Sequence, residues 1–425
     1  MDNYRAITLV SCLGKLFTSI VNERLTKFVE ENEIISEAQA GFREGYSTID
    51  HVFVLKTIIE LYLCQGRRLF CAFVDYRKAF DSVNRTILWK RLVEQGVNGK
   101  ILDVIKNLYQ ASKSCVSLNG DMSEAFITGT GVRQGENLSP LLFAFFLNDI
   151  ENYFRAHEGK VLRFLENLDS NAKMAENREL VDLLKLCIIL YADDTVIMAE
   201  SEADLQTNLN ILHQYCEDNK IAVNADKTKI MVFCRSKARL RNIPTFHFGN
   251  IDLSMVEEYT YLGIVFSWNG KFHKAKRELV KKANKAMFSI VQKGRRHKLD
   301  IDIMIKLFDT CVMPILLYGS EVWGCEPNNT CLELVHTKFC KLIMKTSKFV
   351  HNTVIYGELG RFPLDIVIKK RMINYWSRIL TGKQAKLSYS LYQIILHMQN
   401  NGRYESLRDN DHTAELWVQC HLVNT

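Results

Sequence analysis

Two adjacent aspartates, Asp193 and Asp194, interrupt a stretch of sequence that is otherwise apolar. The runs CIILYA and TVIMA on either side are short and rich in Ile, Val and Tyr, which is typical of strands. Because both runs are too short for core helices, they predict a β-hairpin with the two aspartates at its tip. A two-residue turn favours glycine, which Asp-Asp lacks, so turn formation alone does not account for two carboxylates here.

The residues alone leave two interpretations of this carboxylate pair. In the first, the tip is solvated and the aspartates are merely tolerated there. In the second they bind metal, because two like charges so close together repel each other unless a cation neutralises them. Hard oxygen ligands on a rigid hairpin suit Mg²⁺, and a pair of such ions would need a third carboxylate. Asp75 is the candidate because it ends the apolar strand CAFVD, whereas Asp81, in DSVN at a helix entrance, is expected to cap that helix.

The sequence pattern predicts that the segments carrying these carboxylates are strands followed by helices. Leu69 to Asp75 is a predicted strand, and the predicted helix NRTILWKRLVEQG follows it. SCVSLNG and EAFITGTGV form a predicted strand pair, and SPLLFAFFLNDIENYF is a predicted helix that starts at Ser139 or Pro140. The charged segment ENLDSNAKMAENRE is predicted to be an exposed insertion.

After the hairpin, the pattern predicts the helix EADLQTNLNILHQYCEDN, the strand KTKIMVFCR and a further strand pair around TFHFG and YTYLGIVF. Beyond residue 270 the pattern is almost wholly helical. Antiparallel strands with helices on one face, followed by helices alone, predict an α+β core with an all-α region after it. We place the boundary between residues 1–268 and residues 269–425.

Length and composition are those of an ordinary globular protein, with 425 residues, 47% hydrophobic and 24% charged. Because no apolar run reaches about 18 residues, we expect no membrane span. Twelve scattered cysteines and an N-terminus without a secretory layout predict an intracellular protein, of the nucleus or cytoplasm, that is not secreted. Cys331, His336 and Cys340 follow Cys325 on one predicted amphipathic helix, which favours core packing over zinc binding.

Positive charge is concentrated in one segment, residues 271–298. It carries eleven Lys and Arg against one acid, Glu278, so it holds +10 of a chain whose net charge is +7, which leaves −3 for the rest. Its apolar residues recur at helical spacing and end near Gly294: Phe272, Ala275, Leu279, Ala283, Met287 and Ile290. A merely solubilising face normally mixes both signs, so this one predicts binding to a polyanion.

Five segments in this order resemble motifs A to E of the reverse transcriptases of non-LTR (LINE-type) retrotransposons: FVDYRKAFDSVNR, GVRQGENLSPLLFAFFLNDIE, YADDTVIMAE, NADKTKIMVF and YTYLGIVF. YRAITLVSCLGKLFTSIVNERL and EAQAGFREGYSTIDHVFVL resemble the finger motifs of the same family, and LLYGSEVWG and VIYGELGRFPL resemble the segment after the palm. The resemblance implies a right-hand polymerase, with fingers and an antiparallel palm sheet in residues 1–268. Residues 269–425 would form a helical thumb and C-terminal region.

The family's chemistry is then expected of this chain. The resemblance implies an RNA-directed DNA polymerase, a nucleotidyltransferase that extends a DNA primer 3′-OH with dNTPs on an RNA template. Asp75, Asp193 and Asp194 would bind two Mg²⁺ ions, with Mn²⁺ as an alternative. Lys227 would be the general acid for pyrophosphate, although Lys229 or a solvated role for Lys227 stays open. The resemblance gives no oligomeric state and implies no membrane partner.

Further contacts follow from the matched motifs. The residues implied to contact the incoming nucleotide are Arg43, Tyr76, Phe80, Gln134 and Gly135. Phe80 matches the bulky residue that blocks a nucleotide 2′-OH, and core packing is the alternative for its side chain. The implied primer grip is Tyr261, Leu262 and Gly263. The cations implied to contact the template–primer backbone are Lys274, Arg277, Lys281 and Lys285.

The chain departs from the family pattern in two respects. The family often has Cys-Pro where this chain has Glu136 and Asn137, and the chain begins at the finger motifs. We therefore expect it to lack the family's upstream endonuclease and not to support retrotransposition by itself.

Two rival functions share features of this sequence. An RNA-dependent RNA polymerase would share the palm, but would have a small hydrogen-bonding residue in place of Phe80 and usually Gly-Asp-Asp at the hairpin. The other rival is a non-catalytic nucleic-acid-binding remnant, which the presence of all three aspartates and Gln134 disfavours.

Overall fold

The computed structural model of the protein describes residues 8–110, 113–163, 188–326, 328–383 and 386–400. The predicted insertion ENLDSNAKMAENRE lies outside them. The chain divides into two compact units. The first comprises residues 1–48, 68–232 and 240–256, and the second comprises residues 49–67, 233–239 and 257–425. The last division falls after residue 256, and residues 49–67 group with the helical second unit because packing rather than chain order defines a unit.

The strands of the first unit form one large sheet and two small hairpin-like pairs. They are β1 (Leu69–Val74), β2 (Lys113–Ser114), β3 (Ser117–Leu118), β4 (Asp121–Met122), β5 (Phe126–Ile127), β6 (Ile188–Tyr191), β7 (Asp194–Ala199), β8 (Lys229–Phe233), β9 (Phe246–Phe248) and β10 (Ile251–Met255). The order in the six-stranded sheet is β6-β7-β1-β8-β10-β9. The predicted pair in SCVSLNG and EAFITGTGV is present as β2 with β5, beside the separate pair of β3 and β4.

The large sheet departs from the prediction in one respect. β6 with β7, β7 with β1, and β9 with β10 are antiparallel, as predicted. β8 and β10 are parallel, so the sheet is mixed and the prediction of a wholly antiparallel palm sheet is wrong there. The reason is the connection between them, because β9 turns back into β10 as a hairpin and so brings β10 alongside β8 in the same direction.

The helices of the first unit pack a strongly apolar core against this sheet. They are α1 (Cys12–Glu31), α3 (Ala79–Ser82), α4 (Arg85–Glu94), α5 (Gly99–Gln110), α6 (Ser139–Leu147), α7 (Ile150–Ala156) and α8 (Glu202–Asn219); α2 (Thr48–Cys64) lies in the second unit. Every residue of β1 is buried, and so is most of α6, because both are apolar on all sides. The single helix predicted for SPLLFAFFLNDIENYF is two helices, α6 and α7, with Asn148 between them bonded to backbone at Ser36 and Ile34.

The helix entrance at DSVN is capped by a different residue from the predicted one. Asn84 is the N-cap of α4, and its side-chain oxygen accepts from the Ile87 N–H at 3.2 Å. Asp81 lies within the short helix α3, so the expectation that it caps the following helix is wrong. Asp81 instead packs against Gly131, where an added Cβ would lie 2.7 Å from the Asp81 carbonyl oxygen.

The second unit is mainly helical. Besides α2 it contains β11 (Glu258–Tyr261), β12 (Ile264–Ser267), α9 (His273–Arg296), α10 (Ile301–Cys311), α11 (Met313–Leu316), α12 (Ser320–Trp323), α13 (Thr330–Ile343), α14 (Asn352–Leu359), α15 (Leu364–Thr381) and α16 (Leu387–Asn400), with a 3₁₀ turn at Lys237–Leu240 that overlaps both units. α9 buries Ala275, Leu279, Ala283 and Met287, as its spacing predicts. α9 ends at Arg296, near Gly294 as predicted. Gly294 lies in its last turn and packs on Met304, where an added Cβ would be 2.1 Å from the sulfur.

The histidine and cysteines weighed as zinc ligands lie in this unit. His336 is buried between the rings of Phe308 and Tyr356, and its Nε2 accepts from Arg361 at 3.2 Å. Cys340 is also fully buried. These contacts are those of core packing. Among the helices that the structure describes, none is long and apolar enough to cross a bilayer.

Candidate active site

The hairpin of β6 and β7 carries the adjacent aspartates. Tyr191 pairs with Asp194, so the turn consists of Ala192 and Asp193, and Asp194 is the first residue of β7. The predicted hairpin is therefore present, but only one of the two aspartates lies at its tip. Ala192 has φ +58°, a left-handed conformation that a residue with a side chain rarely adopts. A turn of this kind would be formed more easily by glycine, so its sequence was not selected for turn stability alone.

The register of the sheet brings Asp75 to this hairpin. β1 and β7 pair from Phe70 with Ala199 to Val74 with Thr195, and Asp75 and Asp194 are the next residues of each chain segment in that register. The Cα atoms of opposed residues in neighbouring antiparallel strands lie about 4.5–5.5 Å apart. Two carboxylates that are 119 positions apart in the chain therefore end neighbouring strands at the same edge of the sheet.

The third carboxylate is close to the residue that follows Asp75. Tyr76 is buried, and burial raises the pKa of its hydroxyl, with a further increase from the negative charge of Asp193. Asp193 is thus near enough for its charge to act on Tyr76. No group of three His, Cys, Asp or Glu side chains in the described part of the chain is arranged to hold an ion. The backbone arrangement and the hard oxygen donors of Asp75, Asp193 and Asp194 nevertheless fit Mg²⁺.

Gln39 supports the turn of this hairpin from a distant part of the sequence. Its Oε1 accepts from the Ala192 N–H at 2.9 Å, and its Nε2 donates to the Ala192 carbonyl at 3.4 Å. Gly41 packs so closely that an added Cβ would lie 2.2 Å from the Ala192 nitrogen. The chain around Gln39 also pairs with β6, through Ala38 and Ala40 on either side of Leu190. The sequence offered no sign of this role beyond the match of QAGFR to a finger motif.

A turn in NADKTK holds the backbone of Asp75. The Asp75 N–H donates to Thr228 Oγ1 at 3.2 Å, and the Asp75 carbonyl accepts from the Asn224 N–H at 2.7 Å. Lys227 lies between these two contacts and its side chain is exposed. Lys229 is occupied elsewhere, because its Nζ donates to the Asp226 carbonyl and to Ser254 Oγ. Of the two lysines, Lys227 is therefore the more exposed.

Phe80 lies in α3, five residues after Asp75. Its ring stacks on Phe143 of α6 with centroids 4.8 Å apart, and Phe42 meets it edge-on at 6.4 Å. The side chain is partly exposed, so one part of it packs against the core while another part is accessible. Both interpretations of Phe80 are compatible with this position: a ring held rigidly by Phe143 can also present an edge to a ligand.

Gln134 and Gly135 form a turn that ends next to a buried carboxylate. Gly135 is exposed and has φ +101°, and the Gln134 carbonyl accepts from the Thr8 N–H at 2.8 Å. Glu136 is fully buried and accepts from the Tyr109 hydroxyl at 2.8 Å and from Arg133 at 3.4 Å. Glu136, which replaces the family's usual residue in this motif, therefore has hydrogen-bond partners for its buried carboxylate. These bonds fix the backbone next to Gln134.

Arg43 is occupied by structural contacts. Its guanidinium has five N–H donors, and all five have acceptors: Glu30 twice, Glu37, and the carbonyls of Ser36 and Gln39. Burial alone would lower the pKa of Arg43, but the hydrogen bond to Glu30 and the charge of Glu37 raise it. In this arrangement the guanidinium has no donor left for a triphosphate, so the contact predicted for Arg43 is not supported.

In the second unit, the residues matched to the primer grip form a tight hairpin. Tyr261 pairs with Ile264, which leaves Leu262 and Gly263 as the turn. Tyr261 is buried and Gly263 is exposed. The four cations assigned to one side of α9 are all exposed: Lys274, Arg277, Lys281 and Lys285. Lys276 differs from them, because it is buried against Trp323 and Glu326 and cannot belong to a solvent-facing stripe.

Comparison with known protein families gives one extended match. The family described as "Reverse transcriptase (RNA-dependent DNA polymerase)" matches residues 1–266. The "Probable RNA-directed DNA polymerase from transposon BS" of Drosophila melanogaster is 24% identical over 390 residues, which make up 89% of this chain and 40% of that protein. The "RNA-directed DNA polymerase from mobile element jockey" of Drosophila funebris is 24% identical over 361 residues, 82% of this chain and 36% of that protein. The chain thus spans 40% or less of the length of these relatives.

Among solved structures, a telomerase from Candida tropicalis in complex with a fragment of telomeric RNA is similar over 90% of this chain and 56% of that one. Its TM-score is 0.41 and its sequence identity 11%. This score is too low to support a conclusion about fold or function.

Proposed function

Because the chain belongs to the reverse transcriptase (RNA-dependent DNA polymerase) family, which its match over residues 1–266 shows, we propose that it extends a DNA primer 3′-OH with dNTPs along an RNA template. The family motifs in its sequence and the names of its relatives agree on the retrotransposon type. The observation that carries the proposal is the register of β1 and β7, in which Asp75 and Asp194 are the next residues, beside the turn that contains Asp193.

Asp75, Asp193 and Asp194 would hold two Mg²⁺ ions, or Mn²⁺ in their place. When bound, these ions would lower the pKa of the primer hydroxyl and neutralise charge on the triphosphate. The chain itself fixes the positions of the carboxylates. Thr228 and Asn224 hold the backbone of Asp75, and Gln39 holds the turn that carries Asp193.

In the reaction, the primer 3′-oxygen would form a bond to the α-phosphorus of the dNTP. The bond from that phosphorus to the oxygen bridging to the β-phosphate would break, and pyrophosphate would leave with that electron pair. The primer hydroxyl would lose its proton to water. We assign Lys227 as the donor of a proton to the departing pyrophosphate, because it is exposed and lies in the turn whose residues Asn224 and Thr228 bond to the backbone of Asp75.

The remaining assignments concern nucleotide and template–primer. Phe80 would exclude a 2′-OH with its accessible edge, next to Tyr76, Gln134 and Gly135 in the nucleotide site. Arg43 is left out of this set because its donors are all used within the protein. In the second unit, Tyr261 to Gly263 would form the primer grip, and the exposed cations of α9 would contact the nucleic-acid backbone. Residues 1–268 would then be fingers and palm, and residues 269–425 thumb and C-terminal region.

Primer extension on a defined RNA template, with Mg²⁺ or Mn²⁺, tests this function. We expect the parent protein to extend a DNA primer with dNTPs, and Asp193→Asn and Asp194→Asn to abolish extension. Asp103→Asn, a change of the same kind at an exposed aspartate of α5, is the matched control and should extend as the parent does. Binding of the template–primer without any extension by the parent would favour the non-catalytic remnant. Extension with ribonucleotides in preference to dNTPs would favour an RNA-dependent RNA polymerase.

A further inference from the structure

The turn between β11 and β12 has a backbone conformation that its sequence does not favour. Leu262 has φ +46° and Gly263 has φ +83°. A two-residue turn with positive φ at both positions strongly favours Asn-Gly, because an apolar side chain such as leucine is strained in the left-handed region. Strained residues persist only where the surrounding structure holds them, and they are concentrated at functional sites.

Tyr318, in the connection between α11 and α12, supplies that hold. Its hydroxyl donates to the Leu262 carbonyl at 2.9 Å. Its ring lies against Gly263, where an added Cβ would be 3.1 Å from the Tyr318 Cε1. The next residue, Gly319, packs on Ile264 so closely that an added Cβ would be 2.2 Å from the Ile264 Cδ1. Residues 318 and 319 therefore contact Leu262, Gly263 and Ile264 in succession.

Tyr318 is itself fixed by the helix that follows it. Its carbonyl accepts from the Trp323 indole N–H at 2.9 Å, and Trp323 is fully buried. The Lys276 ammonium lies 5.4 Å from the centre of the Trp323 ring, a cation–π contact that joins α12 to the basic helix α9. The hairpin turn and the basic helix thus pack against the same segment, Tyr318 to Trp323. The turn, the helix and this segment all lie within the second unit.

We propose that Tyr318 is a positioning residue for the primer end. It holds the Leu262–Gly263 turn in its strained conformation, so that the exposed backbone at Gly263 is presented to the primer in one fixed geometry. This inference rests on the proposed function, because it takes Tyr261 to Gly263 as the primer grip. It also gives a role to LLYGSEVWG, the segment that contains Tyr318 and resembles the region after the palm.

Tyr318→Phe tests the proposal, because it removes the hydroxyl and keeps the ring that packs on Gly263. We expect the rate of primer extension at saturating dNTP to fall about fivefold to tenfold, the equivalent of one lost neutral hydrogen bond. The dissociation constant of the template–primer should stay unchanged, because the exposed cations of α9 are not altered. Tyr356→Phe is the matched control: it removes a tyrosine hydroxyl that bonds to Glu333 in the same unit, away from the hairpin. It should leave the extension rate unchanged.

Melting temperatures separate positioning from general destabilisation. Tyr318→Phe and Tyr356→Phe each remove one tyrosine hydroxyl that bonds within the second unit, so both should lower the melting temperature slightly, but only Tyr318→Phe should slow extension. The proposal is overturned if Tyr318→Phe extends primers as fast as a parent protein that is itself active, or if Tyr356→Phe lowers the rate equally. A parent that extends no primer at all would instead overturn the proposed function, and this inference with it.

Discussion

The carboxamide of Gln39 bonds to both backbone groups of Ala192, accepting from its N–H at 2.9 Å and donating to its carbonyl at 3.4 Å. Ala192 is held in the left-handed region by these bonds and by the close approach of Gly41. The same principle recurs in the second unit, where Tyr318 holds the strained Leu262. In both hairpins, one turn residue has a positive φ that its residue type disfavours. A hydrogen bond from a side chain elsewhere in the same unit holds that residue in this conformation.

Gln39→Leu should therefore disturb the carboxylate hairpin. It leaves the N–H groups of Ala192 and Gly41 buried without their acceptor, at a cost of about 1–3 kcal/mol for each. We expect primer extension to slow at least tenfold. Gln95→Leu is the control, because Gln95 also donates to a backbone carbonyl, that of Phe145, and accepts from Asn148. Equal losses of extension rate in the two variants, measured beside their free energies of unfolding, would show that the effect is not specific to the hairpin.

Phe80→Ala should allow ribonucleotides to be incorporated while DNA synthesis continues. The accessible edge of the ring is then absent, and a 2′-OH meets no obstacle. Loss of the stack on Phe143 should also lower the free energy of unfolding, by less than the about 3–5 kcal/mol of a fully buried phenylalanine because the Phe80 ring is partly exposed. Phe143→Leu, which weakens the same stack but leaves Phe80 in place, controls for that loss. The measurement is the ratio of dNTP to rNTP incorporation; an unaltered ratio in Phe80→Ala would assign the ring to the core alone.

Arg43→Gln should destabilise the protein rather than weaken nucleotide binding. Glu30 and Glu37 would remain partly buried without their cation, which costs about 3–5 kcal/mol. Chemical denaturation should show this loss, while the KM for dNTP changes little. Arg24→Gln, at an exposed position of α1, should leave stability unchanged. A large rise in KM at full stability would instead restore Arg43 to the triphosphate site.

Lys227→Ala should slow extension about a hundredfold if this lysine protonates the leaving pyrophosphate. Lys229→Ala should slow extension much less, because Lys229 bonds to Ser254 and the Asp226 carbonyl and has a structural role. The rate of single-nucleotide addition at saturating dNTP is the measurement that decides between them. Equal rates for the parent and Lys227→Ala would exclude Lys227 as the proton donor.

Replacing the four exposed cations of α9 by glutamine should weaken template–primer binding and its dependence on salt. The positions are Lys274, Arg277, Lys281 and Lys285. The logarithm of the binding constant falls as the logarithm of the salt concentration rises. On a duplex, each lost phosphate contact should make this slope shallower by about 0.9. Replacing four exposed cations of the first unit (Arg24, Lys27, Lys90 and Lys100) removes the same charge and should alter the slope less. Equal slopes in the parent and the α9 variant would mean that this side of the helix faces only water.

The sequence by itself determined the family and most of the elements. Ordered motifs predicted a reverse transcriptase, and the match over residues 1–266 confirms that membership. Short apolar runs predicted the hairpin and a strand from Leu69 to Asp75, which ends at Val74 in the structure, and helical spacing predicted α8 and the buried face of α9. Composition and spacing are properties of neighbouring residues, so the sequence contains them. The separate roles of individual residues followed only by resemblance, and the assignments of the three aspartates, Phe80 and Lys227 stay predictions.

Only the tertiary structure decided which distant residues meet. Gln39 and Ala192 are 153 positions apart, and so are Asp75 and Thr228, so no local pattern could pair them. The same reason explains why Asn84 rather than the predicted Asp81 caps α4, why Met304 packs on Gly294 and why glutamates surround Arg43. The local sequence pattern specifies which secondary structure each segment can form. Packing and hydrogen bonding between segments decide which hydrogen-bond donors remain available to bind a ligand.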